Sequence, residues 1–419
     1  MTVVTENNRS AKDDGKVAFY NNPKIRGYFF QILTLFVVVY LGWAAVTNAR
    51  DALLAQKIAS GFGFLKNAAG YELSFSLLPF SSESTHFRAF LVGITNTLFV
   101  AVIGVILATL LGFAVGIARL SPNWLLSRIA YWYVEFFRNI PLLLILIFLS
   151  SLKTWFPQPE DVAKGVVAAG PEAIANTSWY FLATLRSVFL PRPVFGDLAL
   201  WPLAAFAIGV VATLFLRIWA RRRQDATGQT FPLLWVGLGL IIIIPMLVYF
   251  AAGMPIALEK AFVKYDPAAP IFRRTTLAGG MEIPPEFFAL LIGLVIYSAS
   301  FIAENVRAGI MSVSSGQTEA SLALGLDRQQ SLKLVVIPQA MRVIIPPLTN
   351  QYLNLTKNSS LATAIGYPDL YLIFAGSTLN LTNQAVEVIA MTMAVYLTIS
   401  LLTSFGMNWY NRRKALVER

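Results

Sequence analysis

The sequence contains no cysteine and one histidine, and charged side chains make up only 13% of its 419 residues. Without cysteine the chain can form no disulfide and has no thiol nucleophile. The lone histidine, His86, has no second imidazole with which to share a metal ion, so we interpret it as an ordinary loop residue before an apolar segment. Because soluble domains are about one quarter charged, this composition excludes an ordinary soluble fold.

The chain also lacks a phosphate-binding loop of the form G-x4-G-K-[ST]. The stretch GFGFLKN, which begins at Gly61, has neither the required spacing nor a Ser or Thr after its lysine. A catalytic site inside a membrane would need a metal cluster or a paired nucleophile and base, and this composition offers little for either. We therefore expect neither nucleotide binding nor enzyme activity in this chain.

Apolar residues, in contrast, make up 56% of the sequence. A helix needs about 20 apolar residues to cross the ~30 Å hydrocarbon core of a bilayer. The first such run follows the polar residues 1–26, is too long for a signal peptide and has no cleavage site behind it, so we expect it to be retained. The pattern predicts an all-α, polytopic membrane protein with about eight spans, at 27–48, 88–118, 130–153, 198–219, 231–252, 285–309, 343–366 and 385–408.

The distribution of charge predicts the orientation of these spans. The loops at 49–88, 153–197 and 253–284 are nearly neutral. By the positive-inside rule, both termini and the loop between spans six and seven are expected in the cytoplasm. The net charge of +11 then reflects membrane topology and not nucleic acid binding. Basic side chains cluster after spans two, four and eight, at Arg119 and Arg128, at Arg217 and Arg221 to Arg223, and at Arg412 to Lys414.

Span two carries small residues at Ala108, Gly112 and Gly116, spaced four apart along one helical face. Such a stripe lets two helix backbones approach closely within a membrane. We interpret it as a helix-packing surface.

The loop between spans six and seven, here called the elbow (residues 313–342), has the pattern of two short helices. In the stretch EASLALGLDRQQSLKLVVIPQA, which starts at Glu319, the first six residues favour a helix, with Ala320 and Ala323 on one face. Gly325 is suited to end this helix because glycine adopts a positive φ without strain.

A second helix is predicted directly after that glycine. Asp327 and Gln330 have the spacing of a capping box. The helix is expected to run from Arg328 to Ile337 and to end at Pro338. The elbow would then either dock into a groove on another protein or lie on lipid headgroups as an amphipathic hairpin. Docking is favoured, because an interfacial hairpin would carry a basic face and bulky apolar anchors.

The elbow resembles the EAA loop, E-A-A-x3-G-x9-I-x-L-P, of ABC importer permeases. The matching positions are Glu319, Ala320, Gly325 and Pro338, and the conservative departures are Ser321, Val335 and Ile337. The stretches EFFRNIPLLL from Glu135 and AENVRAGIMSV from Ala303, and the sequence that follows Pro338, resemble the polar amino acid branch of that family. The extra first span, the long insertion and the overall length are similar to its general L-amino-acid permeases.

The resemblance implies a type I importer core of five helices and a division of the chain. The implied segments are a cytoplasmic tail (1–26), an extra first span (27–48), the first part of the permease core (88–155), an insertion with two extra spans and periplasmic loops (156–284), the second part of the core with the coupling loop (285–412), and a second cytoplasmic tail (413–419).

The resemblance to ABC importer permeases also implies partners for this chain. In that family the loop fits a cleft on a cytoplasmic ATPase, so ATP and Mg²⁺ would be bound by an ATPase dimer, and this chain would hold no cofactor. A second homologous permease, in a heterodimer or a homodimer, a periplasmic amino-acid-binding protein and an L-amino acid substrate complete the set, in a bacterial inner membrane. The implied ATPase-coupling residues are Glu319, Ala320, Ala323, Leu324, Gly325 and Arg328.

Several charged side chains fall inside the predicted spans, where a charge costs about 2.5–3.5 kcal/mol on insertion scales. Glu135 and Arg138 lie in span three, and Glu304 and Arg307 lie in span six. Each pair has i,i+3 spacing. The pairs are therefore either structural ion pairs or groups that line a cavity for a zwitterion.

Span seven carries Asn350, Asn354 and Lys357 on one helical face. Lys357 is the best candidate to bind a substrate carboxylate, because it has no acidic neighbour within one turn, and Glu304 is the best candidate for the ammonium group. The remaining candidates for the substrate pathway, which could equally bond back to their own helices, are Thr95, Asn96, Thr97, Ser298, Ser300, Asn358, Ser359 and Ser360.

An ion-coupled secondary transporter is the main alternative function. It would show inverted repeats and a midplane site made by broken helices. Neither feature is evident in the sequence, and this alternative leaves the elbow unexplained.

Overall fold

The computed structural model describes residues 23–55, 61–266 and 275–414. The predicted tails, 1–26 and 413–419, lie largely outside these ranges. The described helices confirm a polytopic, helical membrane protein. Eight segments are long and apolar enough to cross a membrane: Arg26–Asn48, His86–Ala118, Leu142–Ala168, Leu200–Thr227, Leu233–Ala251, Pro285–Met311, Arg328–Ile365 and Ala385–Arg412.

The helices and strands are numbered in chain order. Helices α1 to α15 are Pro23–Ala55, His86–Ala118, Trp124–Asn139, Leu142–Ser151, Pro159–Ala168, Pro171–Asn176, Leu200–Thr227, Leu233–Leu238, Ile244–Ala251, Pro285–Met311, Ser315–Ala323, Arg328–Ser331, Ile337–Asn358, Leu379–Thr382 and Ala385–Lys414. Strands β1 to β8 are Ser178–Trp179, Leu182–Ala183, Val188–Leu190, Arg192–Phe195, Ile256–Glu259, Ala261–Tyr265, Thr275–Ala278 and Met281–Ile283. Short 3₁₀ helices occupy Phe62–Lys66, Leu152–Trp155 and Ser359–Ile365, and π-helical turns occupy Gly239–Ile243, Leu332–Val336 and Tyr371–Thr378.

The insertion contains a helical hairpin on a small base of strands. Helices α7 and α9, with α8 and a π turn between them, supply the two extra spans that were predicted there. The strands pair into the antiparallel sheets β1–β6–β7, β2–β3–β8 and β4–β5. Because β4 precedes α7 and β5 follows α9, their pairing closes the base of the hairpin.

The centre of the bundle is the packing of α2 against α10. A Cβ atom added to Gly112 would lie 2.5 Å from Ile302 Cγ2, and one added to Gly116 would lie 2.7 Å from the carbonyl oxygen of Ala303. Both glycines therefore allow a backbone approach that any side chain would prevent. The prediction of a packing stripe on span two is confirmed.

Predicted span three, 130–153, is not one helix. Helix α3 ends at Asn139 and α4 begins at Leu142, because Ile140 and Pro141 are extended, with ψ angles of 130° and 132°. Proline lacks an N–H and disfavours the helical conformation of the residue before it. The segment predicted as span three is therefore divided into two helices at Pro141.

The eight-span interpretation assigned no element to the connection between spans seven and eight. In the structure this buried connector (residues 366–384) enters the bundle instead of looping over it. Its side chains at Tyr367, Leu370, Ile373 and Phe374 are fully buried. Its π-helical turn is too short to be recognised as a span by hydropathy.

Candidate functional site

The first helix of the elbow ends as its glycine predicted. Gly325 has φ +84° and donates its N–H to the Leu322 carbonyl at 2.9 Å, while the Leu326 N–H donates to the Ser321 carbonyl at 3.2 Å. These two bonds are those of a Schellman cap. Helix α11 begins at Ser315, however, so it is four residues longer at its start than predicted.

The capping box is also present. The Gln330 N–H donates to Asp327 Oδ1 at 2.8 Å, and the Asp327 N–H donates to Gln330 Oε1 at 3.0 Å. The predicted end of the second helix at Pro338 was wrong. The helix continues from α12 through a π turn into α13, and this π turn lies directly before Pro338, where it changes the hydrogen-bond pattern at the point at which the proline lacks an N–H.

Side-chain contacts fix the first elbow helix to this long second helix. Ser321 is buried, and its hydroxyl pairs with that of Ser331 on α12. Gln339 Nε2 on α13 donates to Gln317 Oε1 on α11 at 3.0 Å. The serine that replaces the second alanine of the EAA pattern therefore joins the two halves of the elbow.

The outer surface of the elbow is accessible to a partner. Leu322 and Leu324 are both exposed near the tip, and the exposed Ala320 and Ala323 are on the same helix. The tip therefore presents apolar and small side chains that a partner protein could cover. The six predicted coupling residues, Glu319, Ala320, Ala323, Leu324, Gly325 and Arg328, are all exposed.

Helix α13 carries a polar face towards its C-terminal end. Asn350, Asn354 and Lys357 are exposed, whereas Ile344 and Leu348 on other faces of the helix are buried. Amide and ammonium groups in a membrane-spanning helix are stable only against water or protein. This face therefore lines a polar passage or an interface.

Lys357 opens into a cavity of about 510 Å³ between α13, the buried connector and α15. That volume is within the ordinary range for small-molecule sites. No aspartate or glutamate is among the described residues that line it. Its lining combines one lysine, five hydroxyl side chains and five apolar ones: Lys357, Ser360, Tyr371, Thr392, Tyr396, Ser400, Ala375, Leu379, Ile389, Met393 and Leu397.

A carboxylate lies behind one wall of this cavity. Asp369 is fully buried in the connector; its Oδ1 accepts the Leu372 N–H at 2.8 Å and the Thr363 hydroxyl at 3.4 Å. Its Oδ2 accepts the Tyr396 hydroxyl at 3.2 Å. Burial raises the pKa of the Asp369 carboxyl to about 6, although these hydrogen bonds lower it. The sequence analysis missed Asp369; a lone acid within the apolar stretch IGYPDLYLIFAG was the available signal.

The predicted pathway residues of span two hold the buried connector in place. Asn96 Nδ2 donates to the Pro368 carbonyl at 2.8 Å, and Thr97 Oγ1 accepts the Leu370 N–H at 3.0 Å. Thr95 bonds back to the Leu91 carbonyl of its own helix. None of these three side chains lines the cavity at Lys357.

The predicted serines divide in a similar way. Ser298, Ser300 and Ser359 are buried, and the last two donate to carbonyls three residues back, at 2.6 and 2.7 Å. Ser360 lines the cavity, while its hydroxyl donates to the Lys357 carbonyl at 2.8 Å. Asn358 is half-buried beside it.

The two predicted ion pairs behave differently. Glu304 binds Arg307 at 2.6 Å and also binds Arg119 at the end of α2, a partner that the sequence analysis did not identify. Glu135 and Arg138 do not pair with each other within 4.0 Å; the Arg138 guanidinium lies 5.3 Å from the centre of the Phe301 ring. The i,i+3 spacing therefore produces an ion pair in α10 but not in α3.

Glu304 and Lys357 do not form one site. Gly309 of α10 packs against Ile344 of the antiparallel helix α13. From that contact, and in the same direction, Lys357 is 13 residues away along α13 (357 − 344) and Glu304 is five residues away along α10 (309 − 304). The two positions therefore differ by eight residues along the helix axes, or roughly 12 Å. This separation, together with the two arginines that already bind Glu304, argues against the prediction that these two residues hold the same substrate.

His86 is not the loop residue that was expected. It is the first residue of α2 and is buried, with Nδ1 3.3 Å from Thr378 Oγ1. The Tyr71 hydroxyl lies 2.9 Å from the same Thr378 oxygen. These contacts fix the far end of the buried connector, so His86 is a packing residue that only the folded chain identifies.

Comparisons with known proteins agree on one family. The family described as "Binding-protein-dependent transport system inner membrane component" matches residues 205–416. The general L-amino acid transport system permease protein AapQ of Rhizobium johnstonii is 44% identical over 95% of this chain and 94% of its own. The putative amino-acid ABC transporter permease protein YhdX of Escherichia coli K12 is 42% identical over 96% and 97%. A crystal structure of an amino acid ABC transporter with histidines aligns at TM-score 0.43 and 18% identity, over 78% of this chain and 95% of the other.

Proposed function

Because the chain belongs to the family of binding-protein-dependent transport system inner membrane components, we propose that it is the permease subunit of a bacterial ATP-driven amino acid importer. The family relationship gives no support to an ion-coupled transporter. One observation carries the mechanism: the second elbow helix runs without a break into α13, the helix that bears the polar face. A displacement of the elbow therefore displaces the polar face directly.

The family implies an ATPase and a substrate-binding protein as partners. We place two ATPase subunits on the exposed surface of the elbow, where they bind ATP and Mg²⁺, so that this chain needs no cofactor and catalyses no reaction. A second permease, either a related chain or another copy of this one, completes the membrane pore. A periplasmic protein delivers the L-amino acid.

The import path follows the polar face of α13. Closure of the ATPases on ATP moves the elbow and opens the cavity at Lys357 to the outside, where the binding protein releases its amino acid. Lys357 then binds the substrate carboxylate, because no carboxylate among the cavity-lining residues competes for it. ATP hydrolysis resets the cavity towards the cytoplasm.

Purification of the chain with its membrane partners tests this function. An ATPase subunit is expected to co-elute, and proteoliposomes that contain the complex should accumulate an amino acid only with ATP inside and binding protein outside. Accumulation driven by an ion gradient without ATP would refute the proposal and favour the secondary transporter.

The chain is a multi-pass inner membrane protein, and we assign both termini and the elbow to the cytoplasm. The absence of cysteine allows a labelling test without background. A cysteine in place of the exposed Ser178 should react with an impermeant maleimide from outside, whereas cysteines at the exposed Gln224 and Gln329 should react only after lysis. Labelling of the Gln329 variant in intact cells would overturn both the orientation and the ATPase docking.

A further inference from the structure

Asp369 is a buried carboxylate with no basic partner. No lysine, arginine or histidine nitrogen of the described residues lies within 4.0 Å of its oxygens. Its hydrogen bonds come from Thr363, Leu372 and Tyr396, which belong to three separate elements that meet at the cavity. A buried acid costs stability unless it is bonded in this way. An uncharged polar side chain could also join these three elements by hydrogen bonds. The negative charge of Asp369 therefore needs an explanation of its own.

Tyr396 connects this carboxylate to the cavity. Its side chain lines the cavity, and its hydroxyl donates to Asp369 Oδ2 at 3.2 Å. With the hydroxyl bound to the buried carboxylate, the aromatic ring is the part of Tyr396 that lines the cavity. The ring is therefore held at its hydroxyl end, and the Asp369 carboxylate lies beyond that end.

The cavity consequently has two poles. Lys357 supplies a positive group at one wall, and Tyr396 supplies an aromatic ring backed by Asp369 at another. A carboxylate is attracted to the lysine, and an ammonium group is attracted to the aromatic ring, more strongly where water is excluded. The apolar lining at Ala375, Leu379, Ile389, Met393 and Leu397 is left for a side chain.

We infer that Asp369 is a positioning residue for substrate, and that through Tyr396 it makes the cavity recognise the zwitterionic backbone of an α-amino acid rather than a particular side chain. This inference rests on the proposed function, because it describes how the same cavity selects its cargo. The negative pole of the cavity then comes from Asp369 and not from Glu304, because two arginines already bind the Glu304 carboxylate.

The inference is tested by competition binding to the permease–ATPase complex in nanodiscs, without the periplasmic protein. Tritiated L-leucine is the probe, and the competitors are L-leucine, N-acetyl-L-leucine, which lacks the ammonium group, and 3-methylbutylamine, which lacks the carboxylate. The wild-type complex should prefer L-leucine to both analogues by about tenfold or more. Asp369→Asn, which has the same shape and keeps one acceptor oxygen but removes the charge, should lose the preference over N-acetyl-L-leucine and keep the preference over the amine.

Two further variants make the result decisive. Tyr396→Phe keeps the ring but breaks the tie to Asp369, so it should shift selectivity in the same direction even if Asp369→Asn does not fold. Thr398→Val, also on α15, should retain wild-type selectivity, because the Thr398 hydroxyl is exposed and donates to the Ala394 carbonyl of its own helix at 2.7 Å. A wild-type preference in both Asp369→Asn and Tyr396→Phe, or equal loss against both analogues, would overturn the inference. The proposed function is tested separately, by measuring ATP-driven uptake with the wild-type complex.

Discussion

Replacement of Gly325 by proline is expected to reduce ATP-driven uptake by about tenfold or more, because the backbone of the elbow cannot then form. Proline fixes φ near −65°, whereas Gly325 has φ +84° and donates its N–H to Leu322. The site is exposed, with no atom within 4 Å of an added Cβ, so insertion and thermal stability of the membrane helices should remain near wild type. Uptake into proteoliposomes and ATPase stimulation by the binding protein are the measurements.

Matched variants distinguish a loss of coupling between the elbow and the ATPase from a loss of folding. Gly316→Ala lies on the same helix, equally open but without a positive φ, and should transport normally. Glu319→Lys should impair uptake through the partner surface, because Glu319 is exposed in the middle of α11 and not at its start, where a dipole effect would act. Normal uptake by both Gly325→Pro and Glu319→Lys would show that the elbow is only an interfacial hairpin.

The second large effect is expected for Lys357→Met. Methionine has a similar length but no charge, so the cavity would lose its carboxylate-binding group and uptake should fall by about tenfold or more. Basal ATPase activity should be unchanged, because Lys357 lies at the far end of α13 from the elbow. Amino acid binding by the isolated periplasmic protein should also be unchanged, since it is a separate chain.

Conservative and remote variants complete that experiment. Lys357→Arg should recover a substantial part of the uptake, because it restores the positive charge. Lys164→Met, which neutralises an exposed lysine on α5, should behave as wild type. If Lys357→Met retained normal uptake, or lost basal ATPase activity as well, Lys357 would be a structural residue and not part of the substrate path.

Features encoded by a continuous local pattern were predictable from sequence. The apolar runs predicted eight membrane segments, because crossing a bilayer requires a length that few other structures need. Gly325, Asp327 and Gln330 predicted the turn and the cap inside the elbow, because those bonds join residues within five positions of one another. The permease family that the elbow sequence indicated was confirmed by the comparisons with known proteins.

Features that depend on partners distant in sequence were decided only by the tertiary structure. Asp369 meets Tyr396 27 positions away, His86 meets Thr378 292 positions away, and Arg119 meets Glu304 185 positions away. Hydropathy and helical spacing describe a segment by itself, whereas the burial of a short connector depends on which helices surround it. The sequence by itself therefore determined that this chain crosses the membrane and carries an elbow with a glycine turn and a capping box. Only the folded chain placed Lys357 at a cavity with Asp369 behind its wall, because that arrangement exists only once α13, the buried connector and α15 have packed together.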